Sequence, residues 1–305
     1  MRPRLVPFQK PAALEGLATT GKASYSFIDI KKTSRWFDQL VVAGLPPHGV
    51  ETTLYPDDGS ETFYLFSRGG GELVLPNGEK KTIRAYDGVW YGSGAGGELK
   101  AGRDGLEWLA VSTNGGNPTP FAGASMDKVL AKGGTASKTA KAPNAPVAFD
   151  RRWIAPRQWP ANKLGATAKP WWFYTVDGTS KWYHSACISS LPPGGASTFH
   201  THMEQYEGPY ETFYIVLSGT ALIRNEYEDF VFTGGPSGVY VPADASHQII
   251  NNGEGLIWYL TISTRGGTPL KLDVYNMPSG AERPGYLDEF NRIMAVRQER
   301  GLPLP

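Results

Sequence analysis

Three of the five histidines of this chain fall in two short segments. Phe199-His200-Thr201-His202 follows a Gly194-Gly195 turn signal. Side chains on a strand alternate between its two faces, so His200 and His202, at i and i+2, project to the same side and can share one ion. Val241-Pro242-Ala243-Asp244-Ala245-Ser246-His247 carries the third histidine behind an acidic turn, with Asn251 four positions on. Tyr206, Tyr210, Tyr214 and Tyr240 lie close to these segments. A phenol in an apolar pocket can donate a proton, or accept one where a cation lowers its pKa; it can equally be a barrel aromatic with its hydroxyl at the rim. His48 and His184 stand outside both segments and read as ordinary polar residues. The single cysteine, Cys187, has no intrachain disulfide partner and reads as a small buried residue.

The elements that must hold these residues come from an internal duplication. Thr33-Ser34-Arg35-Trp36-Phe37-Asp38 through Leu45-Pro46-Pro47 returns as Thr179-Ser180-Lys181-Trp182-Tyr183-His184 through Leu191-Pro192-Pro193. Glu61-Thr62-Phe63-Tyr64-Leu65 returns as Glu211-Thr212-Phe213-Tyr214-Ile215. Gly88-Val89-Trp90-Tyr91 matches Gly238-Val239-Tyr240-Val241, and Trp108 through Gly116 matches Trp258 through Gly267. Four matches in one order mark two copies of a unit. Apolar and aromatic runs bounded by Gly, Pro, Asn and Asp recur in each copy, the pattern of short strands in a small barrel or sandwich. An all-β fold of two barrels is expected: residues 1–117 the first, 118–150 an Ala-, Gly-, Ser- and Lys-rich linker, 151–282 the second, and 283–305 a C-terminal amphipathic helix and tail that packs on a barrel or a partner.

The segment from Gly194 to Gly219 resembles the first cupin motif, and Val241 to Asn251 resembles the second. The resemblance implies two cupin jelly rolls, and it implies that His200, His202, Glu211 and His247 bind one metal inside the second barrel. This chain has eight residues between His202 and Glu211, where the family has three or four. Glu207 has the family's spacing from His202, whereas Glu211 opens the strand that carries the family's ligand, so the carboxylate is Glu211, or Glu207, or absent. The first copy has no histidine at the matching places: Leu54 and Pro56, or Val50 and Thr52, stand there, and Gly97 stands for His247. Glu61 alone does not hold a transition metal, so the first barrel is expected to be structural.

A formal net charge of +1 offers no field to gather nucleic acid or anionic lipid, and no run approaches the roughly 20 apolar residues of a membrane span. The expected partner is a small molecule, with a homodimer as a further option, and the expected compartment is the cytoplasm. Imidazoles with one carboxylate suit Fe(II), the preferred ion, or Mn, Ni, Cu or Zn. The resemblance to bicupin quercetinases and ring-cleaving dioxygenases implies a dioxygenase acting on an enolisable or aromatic substrate; Glu211 and, by their nearness to the ligands in sequence, Tyr206 and Tyr214 are the candidate catalytic groups. A non-redox isomerase, lyase, decarboxylase or hydrolase would use the same ligands, and a non-catalytic binding protein is the third alternative.

Overall fold

The structure is a computed structural model that describes residues 3–9, 23–26, 34, 36–51, 60–92, 96–113, 147–149, 157–159, 161, 163–167, 169–174, 183–202, 211–264 and 285–304. The first half contributes β1 (Val6–Gln9), β2 (Ala23–Ser26), β3 (Phe37–Leu45), β4 (Val50–Glu51), β5 (Thr62–Val74), β6 (Lys80–Arg84), β7 (Gly88–Tyr91), β8 (Glu98–Thr113) and β9 (Val147–Phe149). The second contributes β10 (Arg157–Trp159), β11 (Lys169–Tyr174), β12 (Tyr183–Leu191), β13 (His200–Thr201), β14 (Thr212–Ser218), β15 (Thr220–Arg224), β16 (Asp229–Thr233), β17 (Ser237–Val241), β18 (Ser246–Asn251), β19 (Ile257–Thr264) and the helix α1 (Tyr286–Glu299).

Among the described residues every strand pairing is antiparallel. In the second half a seven-stranded sheet, β1-β17-β14-β19-β12-β11-β10, faces a four-stranded one, β13-β18-β15-β16. Leu191, Tyr214, Val216, Ala221, Ile223, Val239, Val241, Ile249, Ile257 and Tyr259 fill the space between them. In the first half a single eight-stranded sheet bends on itself along the long strands β5 and β8. The bend lies where their register shifts. There Gly69 has φ 76°, and a Cβ would meet the Gly105 carbonyl oxygen at 2.1 Å, so only glycine allows the two strands to approach.

The two halves pack sheet on sheet. Alternation sends Phe63 and Leu65 of β5, and Phe213 and Ile215 of β14, out of their own barrels into one shared core with Phe37, Leu40, Trp90, Tyr183, Tyr240, Leu260 and Ile262. Chain exchange reinforces this contact. β1 pairs with β17 of the second half, while β9, in the stretch expected to be linker, pairs with β7 of the first. The two pairings are equivalent: Val6 lies opposite Tyr240 and Phe8 opposite Gly238, as Val147 lies opposite Trp90 and Phe149 opposite Gly88. Each half therefore takes an edge strand from the chain that precedes the other half.

The interior of the first barrel is closed by aromatic side chains. Tyr91 stands where the second barrel has Val241, and Tyr64 packs on both Tyr91 and Trp108, with ring centroids at 5.1 and 5.8 Å. Leu73 pairs with Leu99 as Ile223 pairs with Ile249, which aligns Gly97 with His247. The second repeat's counterpart of Trp108 is Tyr259 and not Trp258, because Phe66 faces Trp108 as Val216 faces Tyr259. Among the described residues, no helix is long and apolar enough to cross a membrane.

Candidate metal centre

His200, His202 and His247 converge on one point. Each offers a ring nitrogen, and the three nitrogens lie within 4.8 Å of one another. His200 and His247 face each other across β13 and β18, because Cα partners His200↔His247 and Thr201↔Ser246 set the register. His200 Nε2 and His202 Nε2 are 3.2 Å apart. Two ligand nitrogens at about 2.1 Å from one ion and roughly 100° apart are separated by about 3.2 Å, so this spacing fits a shared metal. The Nδ1 atoms of His200 and His247 lie 3.2 and 3.0 Å from the carbonyl oxygens of Thr198 and Ala245. A neutral ring that donates from Nδ1 keeps its Nε2 lone pair for a metal, and the backbone contact fixes its orientation. His247 is fully buried, while His200 and His202 are partly open.

Glu211 is not brought to this cluster. Phe213 and Ile215 point into the core between the halves, whereas Tyr214 and Val216 point into the barrel. The period of two therefore sends Glu211 toward the other half, where its Oε2 accepts a hydrogen bond from Ser34 Oγ at 2.5 Å. Ser34 Oγ in turn accepts the N–H groups of Trp36 and Phe37 at 3.1 and 2.7 Å, which ties the start of β3 to the second half. Tyr206, Glu207 and Tyr210 fall in 203–210, outside the described residues.

Tyr214 faces the barrel interior beside the cluster, its ring centroid 5.1 Å from that of His247. Tyr240 faces the opposite way, into the core between the halves. Deeper in the barrel Tyr259 stacks on Tyr214 at 6.2 Å, and its hydroxyl accepts a hydrogen bond from Lys169 Nζ at 2.6 Å. Burial draws the Lys169 ammonium down to about 8, against the opposing pull of Cys187. Burial raises the Tyr259 phenol and the Cys187 thiol. Cys187 Sγ lies 2.5 Å from Thr261 Oγ1 and is a buried thiol. His48 is an exposed turn residue with φ 60°, at the place of Gly194 with φ 70° in the second copy.

Sequence reasoning missed Lys169, which sits in the aromatic run Lys169–Tyr174 with no motif around it to mark it as entering the barrel. Nor did it mark the helix residues that border the histidines. Tyr286 of α1 stacks on His200, with centroids at 6.1 Å and planes at 22°, and Glu289 accepts a hydrogen bond from Thr201 Oγ1 at 3.0 Å. The buried face of α1 is Tyr286, Glu289, Ile293 and Arg297; helical spacing of apolar residues finds Tyr286 and Ile293 but not the polar half of that face, and the apolar Leu287 is exposed.

No protein-family model matches the chain, and no curated protein matches it by sequence. Solved structures do match. A putative glyoxylate-induced protein from Pseudomonas aeruginosa is similar over 86% of this chain and 84% of its own, at 14% identity and a TM-score of 0.59. A formate complex of Lactobacillus farciminis oxalate decarboxylase is similar over 93% and 92%, at 16% identity and a TM-score of 0.57. Bacillus subtilis oxalate decarboxylase, described with Mn(II) centres, is similar over 93% and 81%, at 15% identity and a TM-score of 0.55. These likenesses establish the fold, the duplicated cupin barrel that the two motifs imply.

Proposed function

We propose that the second barrel holds one divalent metal ion on His200, His202 and His247, and that the protein is a metal-dependent enzyme acting on a small anionic substrate, a carboxylate or an enolate, without net oxidation. The observation that carries this reading is the convergence of three ring nitrogens within 4.8 Å, two of the rings oriented by backbone carbonyls. Among the described residues the donors are three neutral imidazoles, which leave an ion's charge uncompensated, so an ion held there would supply Lewis acidity toward an oxygen anion. Tyr214, beside His247 and facing the interior, is the group placed to hold or move a proton at the substrate. The decarboxylase, lyase or isomerase class is favoured because oxalate decarboxylases share the fold and one of them is described with Mn(II) centres. Mn(II) and Fe(II) are the ions to try first.

A dioxygenase of enolisable or aromatic substrates is the second reading. It is favoured by the rings of Tyr214, Tyr259 and Tyr286 in and around the site, which offer flat apolar surface to a planar substrate. Elemental analysis of protein purified without added metal, followed by turnover of small mono- and dicarboxylic acids and β-dicarbonyl compounds with and without oxygen, separates the two. Product formed anaerobically supports the non-oxidative reading; product that requires and consumes oxygen replaces it with the dioxygenase. Absence of metal after reconstitution with Mn(II) or Fe(II) rejects both.

A further inference from the structure

β13, which carries His200 and is followed directly by His202, is a two-residue strand at the edge of the four-stranded sheet. Its ladder with β18 consists of two Cα pairs, supplemented by backbone hydrogen bonds from Asp244 N–H to the His202 carbonyl at 3.3 Å and from Ser197 N–H to the Ile249 carbonyl at 2.8 Å; these act on the main chain and leave the side-chain orientation to other contacts. Its outer side is covered by α1. Tyr286 and Glu289, one turn apart, lie on the same face of that helix, and both meet β13: Tyr286 stacks on His200, and Glu289 accepts from Thr201, the residue between the two ligands.

The contact continues to the other ligand strand. Arg292 grips Glu289 with two hydrogen bonds, Nε to Oε2 and Nη2 to Oε1, both at 2.8 Å, and its Nη2 also donates to Oε2 of the buried Glu226. The Glu226 backbone N–H donates to Ser246 Oγ at 3.0 Å, and Ser246 pairs with Thr201 and precedes His247. A carboxylate, a guanidinium and a second carboxylate thus link α1 to both segments that present histidines. Farther along, Arg297 anchors the helix: it is fully buried and donates to the Asn225 carbonyl at 2.5 Å and to Asp229 at 3.2 Å.

We infer that Glu289 and Tyr286 are positioning residues of the histidine cluster, and that docking of α1 sets how tightly and in what geometry the second barrel holds its metal. This rests on the reading of the cluster as a metal centre. Groups that orient metal ligands from behind typically contribute about 10–100-fold to metal affinity, and a charge-assisted contact to Thr201 beside the ligands belongs to that class.

The test is titration of the full-length protein with Co(II), following its visible absorption, for wild type, His200→Ala, Glu289→Ala, Thr201→Val and Leu287→Ala. Wild type is expected to take up one ion, and His200→Ala to lose it. Glu289→Ala is expected to bind about 10–100-fold more weakly, with a changed absorption band at saturating Co(II). Thr201→Val keeps the strand's shape and removes only the hydroxyl that meets Glu289, so it should shift both readouts in the same direction even if Glu289→Ala does not fold. Leu287→Ala, on the exposed face, should match wild type. If wild type binds and both Glu289→Ala and Thr201→Val bind with unchanged affinity and spectrum, the positioning role is overturned while the metal centre stands. If wild type binds no Co(II), the metal centre fails and the inference with it.

Discussion

Two buried charged groups near the second barrel behave differently because of what each touches. Glu211 turns away from the histidines and accepts from Ser34 of the other half. Glu211→Ala should therefore leave metal content at the wild-type level and lower stability by about 1–3 kcal/mol through loss of a charge-assisted hydrogen bond, whereas His247→Ala should empty the site; metal analysis and denaturant unfolding of the two variants decide this. Lys169 is buried against Tyr259, with its pKa lowered from 10.5 to about 8. Between those values the unfolded chain binds the proton that the folded one has released, so this group makes stability rise with pH from about 8 to 10.5, by up to about 3 kcal/mol. Cys187 and Tyr259, both raised by burial, act in the opposite sense at alkaline pH. The Lys169 contribution is thus isolated as the difference between wild type and Lys169→Met. The gain from wild type to Lys169→Met should be largest below pH 8 and shrink toward pH 10; a constant difference would show that Lys169 does not titrate in this range.

At the scale of the element, β1 is a four-residue strand that completes a sheet belonging to the other end of the chain. Phe8 is one anchor of that attachment: it is buried in the shared core and meets Phe213 edge-on at 6.1 Å, while Leu5 is buried in the second barrel. Phe8→Ala should cost about 3–5 kcal/mol, and by exposing β17 as a new edge it should increase self-association, measurable by thermal unfolding and light scattering. The strand was legible in principle. Val6-Pro7-Phe8 and Val147-Ala148-Phe149 share a pattern, but at a spacing different from that of the other matches and over too few residues to stand out. The metal strand was legible because two histidines two apart need only the period of a strand to share a face. The carboxylate was open in the sequence between Glu211, Glu207 and none: Glu211 precedes β14 with the parity of Phe213 and Ile215 and accepts from Ser34, while Glu207 lies outside the described residues. The helix was legible as a helix but not in its orientation, since Glu289 and Arg297 point inward to satisfy specific partners.

For the whole molecule, reciprocal exchange of β1 and β9 together with a core drawn from both halves makes separate unfolding of either barrel costly. Opening the second barrel strands β1 and uncovers Phe63, Leu65 and Trp90 of the first; opening the first strands β9 and uncovers Phe213, Ile215 and Tyr240. The Ser34 to Glu211 hydrogen bond and that from Tyr183 Oη to the Val111 carbonyl, at 2.5 Å, cross the same boundary. One cooperative transition follows, and a ligand of the second barrel should stabilise both. A free divalent ion at about 100 times its Kd stabilises the native state by about 2.7 kcal/mol. Calorimetry with and without that ion should show one peak moving as a whole. Two peaks of which only one moves would mean that the barrels unfold independently and that the exchanged strands couple them only weakly.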